Sequence, residues 1–161
     1  MHNAELDEAE FFEGLHASGA RVLLIGRRAL VALGLPVLTA DYDLWLHIDD
    51  IEIVNGVAER LEHFPDVPSE EARRRGRYVL ENGDRVDVIV APSPTTQDGD
   101  VVRFEDVWGR RQHLAFGTGG AFVTLPAISD LIRTKRWSMR PRDLIEIDAL
   151  EALEQSKVGR S

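Results

Sequence analysis

Apolar positions along this chain follow two periods in turn, and the changes from one to the other lay out the elements. For a helix from about Asp7 to Ser18, Leu6, Phe11, Phe12 and Leu15 fall on one side, and Gly19 stands where it would end. The aliphatic run from Arg21 to Ile25 reads as a strand stopped by Gly26, and the Ala- and Leu-rich Arg28 to Leu33 as a helix stopped by Gly34. After a connector from Leu35 to Ala40, the period becomes two. Leu44, Leu46 and Ile48 then fall on one side of a strand from Tyr42 to Ile48, and Asp43, Trp45 and His47 on the other. A helix follows to about Glu62, capped by Asp49 or Asp50, carrying Ile53, Val57 and Leu61, and closed off by Pro65 and Pro68.

The charged segment SEEARRR predicts a loop or short helix, and Arg77 to Leu80, Asn82-Gly83 and Arg85 to Val90 predict a β-hairpin with Asp87 inside its second strand. A polar loop from Pro92 to Asp100 leads to a short helix from Phe104 to Trp108. Two strands, Arg111 to Phe116 and Ala121 to Leu125, are expected around Gly117, Gly119 and Gly120. Past Pro126, Ile128, Leu131 and Ile132, then Leu144, Ile147, Leu150 and Leu153, form two helical stripes joined near Ser138 to Pro141, and a polar tail starts at about residue 155. No repeat or linker divides the pattern, so residues 1–161 are read as one α/β domain.

Composition narrows the chemistry. At 161 residues, 43% hydrophobic and 29% charged, the chain can bury a core. It has no Cys, so any metal must be held by oxygen or imidazole. The acidic amino terminus does not resemble a signal peptide and no apolar run approaches membrane-spanning length, which leads us to expect a soluble, cytoplasmic protein with no membrane partner. A net charge of −9 argues against a broad nucleic-acid surface, although arginines cluster at Arg73 to Arg77, at Arg110 and Arg111, and from Arg133 to Arg142 beside Lys135.

Asp41 and Asp43 share a strand face, roughly 6 to 7 Å apart at the Cα atoms of a regular strand. Asp87 interrupts an otherwise apolar strand; if that strand lies beside Tyr42 to Ile48, a third carboxylate completes an oxygen site suited to Mg²⁺. Strand, Gly26 and helix in succession place backbone N–H groups where a phosphate could bind. Each feature has a structural alternative: a tight turn for Gly26, a cap for Asp41, a half-exposed position for Asp43, and an arginine pair for Asp87. Trp45 and His47 share the face of Asp43, Trp45 being open to packing or to base stacking. His16, His63 and His113 show no ligand spacing, and neither a nucleophile elbow nor a Walker-type loop is present.

Gly26 and Ala29, the run G-x-P-x-x-T-x-D-x-D from Gly34 to Asp43 and the later Val86-Asp87-Val88 together resemble the nucleotidyltransferase superfamily built on the DNA polymerase beta core. The resemblance is strongest to small stand-alone bacterial members similar to abortive-infection toxin nucleotidyltransferases. A carboxy-terminal pattern with Lys135, Arg140, Pro141 and Asp143 extends it over about residues 21 to 150.

This resemblance implies an α/β (α+β) fold with a mixed sheet flanked by helices. It implies that Asp41, Asp43 and Asp87 bind one or two Mg²⁺ ions, Asp87 being a candidate general base. It further implies a nucleoside triphosphate such as ATP bound at Gly26, Arg27 and Thr39, with Lys135, Arg136 and Arg140 near its phosphates. The reaction implied is transfer of a nucleoside monophosphate to a hydroxyl acceptor, which is left open between small molecule, protein and RNA 3′ end, and the resemblance adds a toxin–antitoxin-type protein partner as a further expectation. One departure stands out: Arg27 replaces the small residue usual after the glycine. It suggests the alternative of a catalytically silent member that binds nucleotide or a partner. A metal-dependent nuclease is a third reading.

Overall fold

The computed structural model describes residues 6–116 and 121–158. Gly117, Gly119 and Gly120, expected between two strands, lie outside them, as do the first five residues and the last three.

Asp7 caps the first helix, α1 (Glu8–Ser18), by accepting the Glu10 N–H at 3.1 Å, and Gly19 ends it in the left-handed conformation. Phe11, Phe12 and Leu15 are its buried face, as their spacing predicts. Five strands make the main sheet: β1 (Val22–Ile25), β2 (Tyr42–Leu46), β3 (Phe64–Pro65), β4 (Arg77–Asn82) and β5 (Asp84–Ile89), in the spatial order β1-β2-β5-β4-β3. The β2–β5 pair is parallel and the others antiparallel, so the sheet is mixed.

Period-two patterning divides this sheet into two faces. Tyr42, Leu44, Val86, Val88, Tyr78 and Leu80 share one face and are buried. It is covered by α1, where Phe12 meets the Tyr42 ring, and by α3 (Ile51–Arg60), where Asn55 accepts the Tyr78 hydroxyl at 2.6 Å. The opposite face carries Ile25, Asp43, Trp45, Asp87, Ile89, Val79 and Arg77. One end of it is closed: Trp45 is fully buried, packed edge-on against Phe104 and Trp137, with its indole N–H on the Ala91 carbonyl at 2.9 Å. Its role is therefore packing.

Helix α2 (Gly26–Ala32) follows β1 without an intervening residue, and α4 (Ser69–Arg75) precedes β4. After α5 (Phe104–Gly109), the hairpin of β6 (Gln112–Phe116) and β7 (Ala121–Leu125) forms a separate two-stranded sheet that lies against β1 and α1. The last two helices, α6 (Ile128–Lys135) and α7 (Pro141–Val158), pack on each other. No helix among the described residues is long and apolar enough to cross a membrane.

Several predicted details are revised. Strand β2 stops at Leu46, because Ile48–Asp50 form a 3-10 turn in which His47 Nδ1 accepts the Asp49 N–H. Asp50 does not cap α3; it accepts the Arg21 backbone N–H and pairs with the Arg21 guanidinium at 2.8 Å, and this hydrogen bonding holds its carboxyl below the usual range. With α3 starting at Ile51, the inward face is Ile51, Val54, Val57 and Ala58, which leaves Ile53 44% exposed. That helix ends at Arg60, and Pro65, expected to close it, belongs to β3. Leu144 is likewise 51% exposed, because the inward stripe of α7 is Asp143, Glu146, Ile147 and Leu150. Two carboxylates thus face inward where a leucine is expected.

Candidate active site

Two of the three aspartates are neighbours on the outer sheet face, with the third at the entry to β2. Asp43 and Asp87 are register partners on the adjacent parallel strands β2 and β5, and Asp41 precedes β2 by one residue, on the side of Asp43. Neighbouring strands are about 4.8 Å apart, so the two carboxylates stand side by side. Asp43 is half-buried, Asp41 exposed. The Asp43 carboxyl is pushed up to about 6, first by burial and then by repulsion from Asp87 and Asp41, while Lys135 and Arg140 draw it back. Asp87 accepts a hydrogen bond from Arg85, its neighbour two residues earlier on the same strand, at 3.1 Å.

Gly26 is required where it stands. Its φ of 69° is the left-handed region, and a Cβ there would lie 2.4 Å from Asp43 Oδ2. Gly26→Ala is expected to cost about 2 kcal/mol or more, from strained backbone and a displaced carboxylate, as read by urea denaturation. A loss below about 0.5 kcal/mol would show that the turn relaxes freely.

The loop into β2 is held by Arg28, a residue to which the sequence pattern assigns no function. Its guanidinium donates to the carbonyls of Thr39 at 3.1 Å and Asp41 at 3.4 Å and stacks 4.2 Å from the centre of the Tyr42 ring. Thr39 Oγ1 accepts the Asp41 N–H at 3.0 Å, which places Thr39 as a support for Asp41.

Lys135 and Arg27 converge on an acid the pattern also misses. Glu146 lies 3.6 Å from Lys135 Nζ and 3.5 Å from Arg27 Nε. Lys135 and Glu146 are both buried, and burial lowers the Lys135 pKa against the pull of Glu146 and Asp143. Neither Glu146 oxygen nor Arg27 Nε has a hydrogen-bond partner among the described residues. The only sequence signal for Glu146 is its place three residues after Asp143 on the inward stripe.

Arg140 caps α7: its N–H donates to Asp143 at 2.8 Å, as does the Ser138 hydroxyl at 3.0 Å, half of a capping box ahead of Pro141 at the first helical position. These bonds outweigh burial and keep the Asp143 carboxyl below its usual range. The Arg140 guanidinium remains 56% exposed. Arg136 is directed elsewhere; its carbonyl accepts the Gln97 N–H and its charge acts on Asp98. His47 is taken up by Glu105, at 2.8 Å from Nε2, and contributes nothing to the carboxylate cluster. His63 is buried and donates through Nδ1 to the Leu61 carbonyl.

By chemistry, adjacent carboxylates that repel one another fit a divalent cation. As the side chains stand, no three His, Asp or Glu among the described residues close on one point, and Asp87 is turned to Arg85. Asp87 would have to exchange Arg85 for a metal.

No protein-family model matches the chain, and no curated protein matches it in sequence. Solved structures do match in architecture. TM1012 of Thermotoga maritima, a candidate nucleotidyltransferase, superposes with a TM-score of 0.58 at 12% identity, covering 92% of this chain and 89% of that one. The antibiotic-resistance factor ANT(2'')-Ia in solution gives 0.57 at 15% identity over 94% and 90% of the two chains. ANT(2'')-Ia in complex with adenylyl-2''-tobramycin gives 0.58 at 15% identity over 93% and 89%. On the mixed sheet and these likenesses together, the chain has the nucleotidyltransferase fold.

Proposed function

We propose that this protein is a metal-dependent nucleotidyltransferase that moves a nucleoside monophosphate from a nucleoside triphosphate such as ATP to a hydroxyl acceptor in the cytoplasm. The observation that carries this reading is the pairing of Asp43 with Asp87 on adjacent parallel strands, with Asp41 beside them. Asp41, Asp43 and Asp87 would hold Mg²⁺, which when bound supplies neutralising charge for the carboxylates and the phosphates. Lys135 and Arg140, whose charges act on Asp43, would receive phosphate oxygens. The acceptor oxygen forms a bond to the α-phosphorus, and the bond from that phosphorus to the bridging oxygen breaks. Pyrophosphate leaves with the electron pair, and the hydroxyl proton passes to Asp87.

A second reading rests on Arg27. Held by Glu146 beside the Gly26 turn, it would let the protein bind nucleotide without transferring it.

Thermal unfolding with each of four nucleoside triphosphates, with and without Mg²⁺, tests both. A ligand at 100 times its Kd stabilises by about 2.7 kcal/mol, which is roughly 5–10 °C for a domain of this size. We expect a shift that needs metal and triphosphate together and is lost in Asp43→Asn. A shift that persists in the variant would favour the silent reading, and no shift with any nucleotide would overturn the main one.

A further inference from the structure

The paired carboxylates have two flanks of different chemistry. On the β1 side lie Gly26, Arg27 and Lys135. On the β4 side a cleft of about 440 Å³ opens directly from Asp43 and Asp87 and is walled by Arg75, Arg77, Arg85 and Asp66. The sheet register explains the gathering. Val79 is the partner of Asp87 and Arg77 the partner of Ile89, so Arg77 shares the carboxylates' face, while Arg75 arrives from the end of α4 just before it.

These arginines are poorly neutralised. Arg77 makes no side-chain hydrogen bond or ion pair with any described residue. Arg75 has only an exposed contact with Glu71, 3.9 Å away on the same helix. Arg85 is paired with Asp87, at 3.0 Å, and loses that partner if Asp87 turns to a metal. Asp66 is the remaining wall acid, and one of its oxygens is occupied by the Val79 N–H at 2.9 Å. With Asp43 and Asp87 neutralised, three guanidinium groups would face one acid, in a protein whose net charge is −9.

We propose that this cleft is the acceptor subsite, and that the acceptor is a small hydroxyl compound bearing a phosphate monoester. Its phosphate would rest on Arg77 and Arg75, and its hydroxyl would point at Asp43 and Asp87. The assignment rests on the nucleotidyl-transfer reading above and supplies its missing substrate class; the bonds made and broken are those already given. Guanidinium forks match phosphate oxygens two at a time. The volume is that of a small-molecule pocket, and a net charge of −9 disfavours a long polyanion. A polycation such as the tobramycin moiety bound by ANT(2'')-Ia would meet the three arginines head-on.

The test needs no nucleotide and no turnover. Ribose 5-phosphate, ribose, inorganic phosphate, tobramycin and a short oligoribonucleotide with a free 3′ hydroxyl are titrated into the wild-type protein with Mg²⁺ by calorimetry and amide NMR. The titrations are repeated with Arg77→Ala and Arg77→Lys, both at an exposed position. We expect ribose 5-phosphate to bind at least about 10-fold more tightly than ribose and to shift the Val79 and Asp87 amides. Inorganic phosphate should compete with it. Arg77→Ala should weaken binding about 10-fold or more, with partial rescue in Arg77→Lys, and tobramycin should not bind in the cleft.

Equal binding of ribose and its phosphate, binding unchanged in Arg77→Ala, or preferred binding of tobramycin would overturn the proposal. An oligoribonucleotide bound more than about 10-fold tighter than ribose 5-phosphate would overturn the small-molecule assignment. A nucleotide-dependent thermal shift without ribose 5-phosphate binding would sink the acceptor assignment alone. Ribose 5-phosphate binding with no nucleotide shift would remove nucleotidyl transfer, and the acceptor role with it.

Discussion

Asp43→Asn is expected to abolish nucleotidyl transfer, by on the order of 10³-fold or more, while leaving the metal-free protein at neutral pH as stable as the wild type or more so. Both parts follow from the same geometry. Asp43 is half-buried with Asp87 as its register partner and Asp41 on the same side, so its ionised form is disfavoured in the fold. Its folded pKa of about 6 lies above the ordinary value of 3.8, which means the native state binds the extra proton between those limits. Stability from this group is therefore complete below about pH 4 and lost as the pH rises through 6, to a total of roughly 3 kcal/mol.

Depressed acids such as Asp50 and Asp143 act in the opposite sense, stabilising above their unfolded pKa and losing that as the pH falls. The difference between wild type and Asp43→Asn, measured by urea denaturation from pH 4.5 to 7.5 without metal, isolates the Asp43 contribution. A variant less stable than wild type across that range would mark Asp43 as a structural residue.

Glu146→Ala should be the most destabilising of these substitutions, by about 3 kcal/mol, because it leaves Lys135 buried with no partner in contact and frees Arg27. The same change should tighten binding of inorganic phosphate or triphosphate roughly 10-fold, since both cations then need an anion. Denaturation with and without phosphate reads both effects, and the loss in stability should be partly recovered as phosphate is added. If Glu146→Ala unfolds no more easily than wild type, the Lys135–Glu146–Arg27 cluster contributes little to the fold. If phosphate affinity is unchanged, Arg27 is not an anion ligand held in reserve.

Local patterning sufficed for much of this molecule. The stop at Gly19, the alternation through Leu44 and Leu46, the hairpin through Gly83 and the Gly26 turn are each written within a few neighbouring residues, where periodicity and turn chemistry act directly. The mixed sheet was legible too, through a resemblance carried by an ordered set of glycines and aspartates. What failed was decided by which side of an element happened to meet a neighbour. Ile53 and Leu144 are apolar at helical spacing yet exposed, while Asp143 turns inward onto the Arg140 N–H at its own helix start and Glu146 faces inward because Lys135 and Arg27 come to meet it from other segments.

The sequence by itself therefore determined that Asp41 and Asp43 lie together at the edge of an apolar strand and that Asp87 interrupts another. Only the tertiary structure decided that β2 and β5 run parallel with Asp43 opposite Asp87, and that Arg75, Arg77 and Arg85 line one flank while Glu146 holds the cations of the other. The reason is range. Spacing along a chain fixes which side chains share a face, whereas the charge a carboxylate feels depends on groups 40 to 100 residues away, brought near by strand pairing and helix packing.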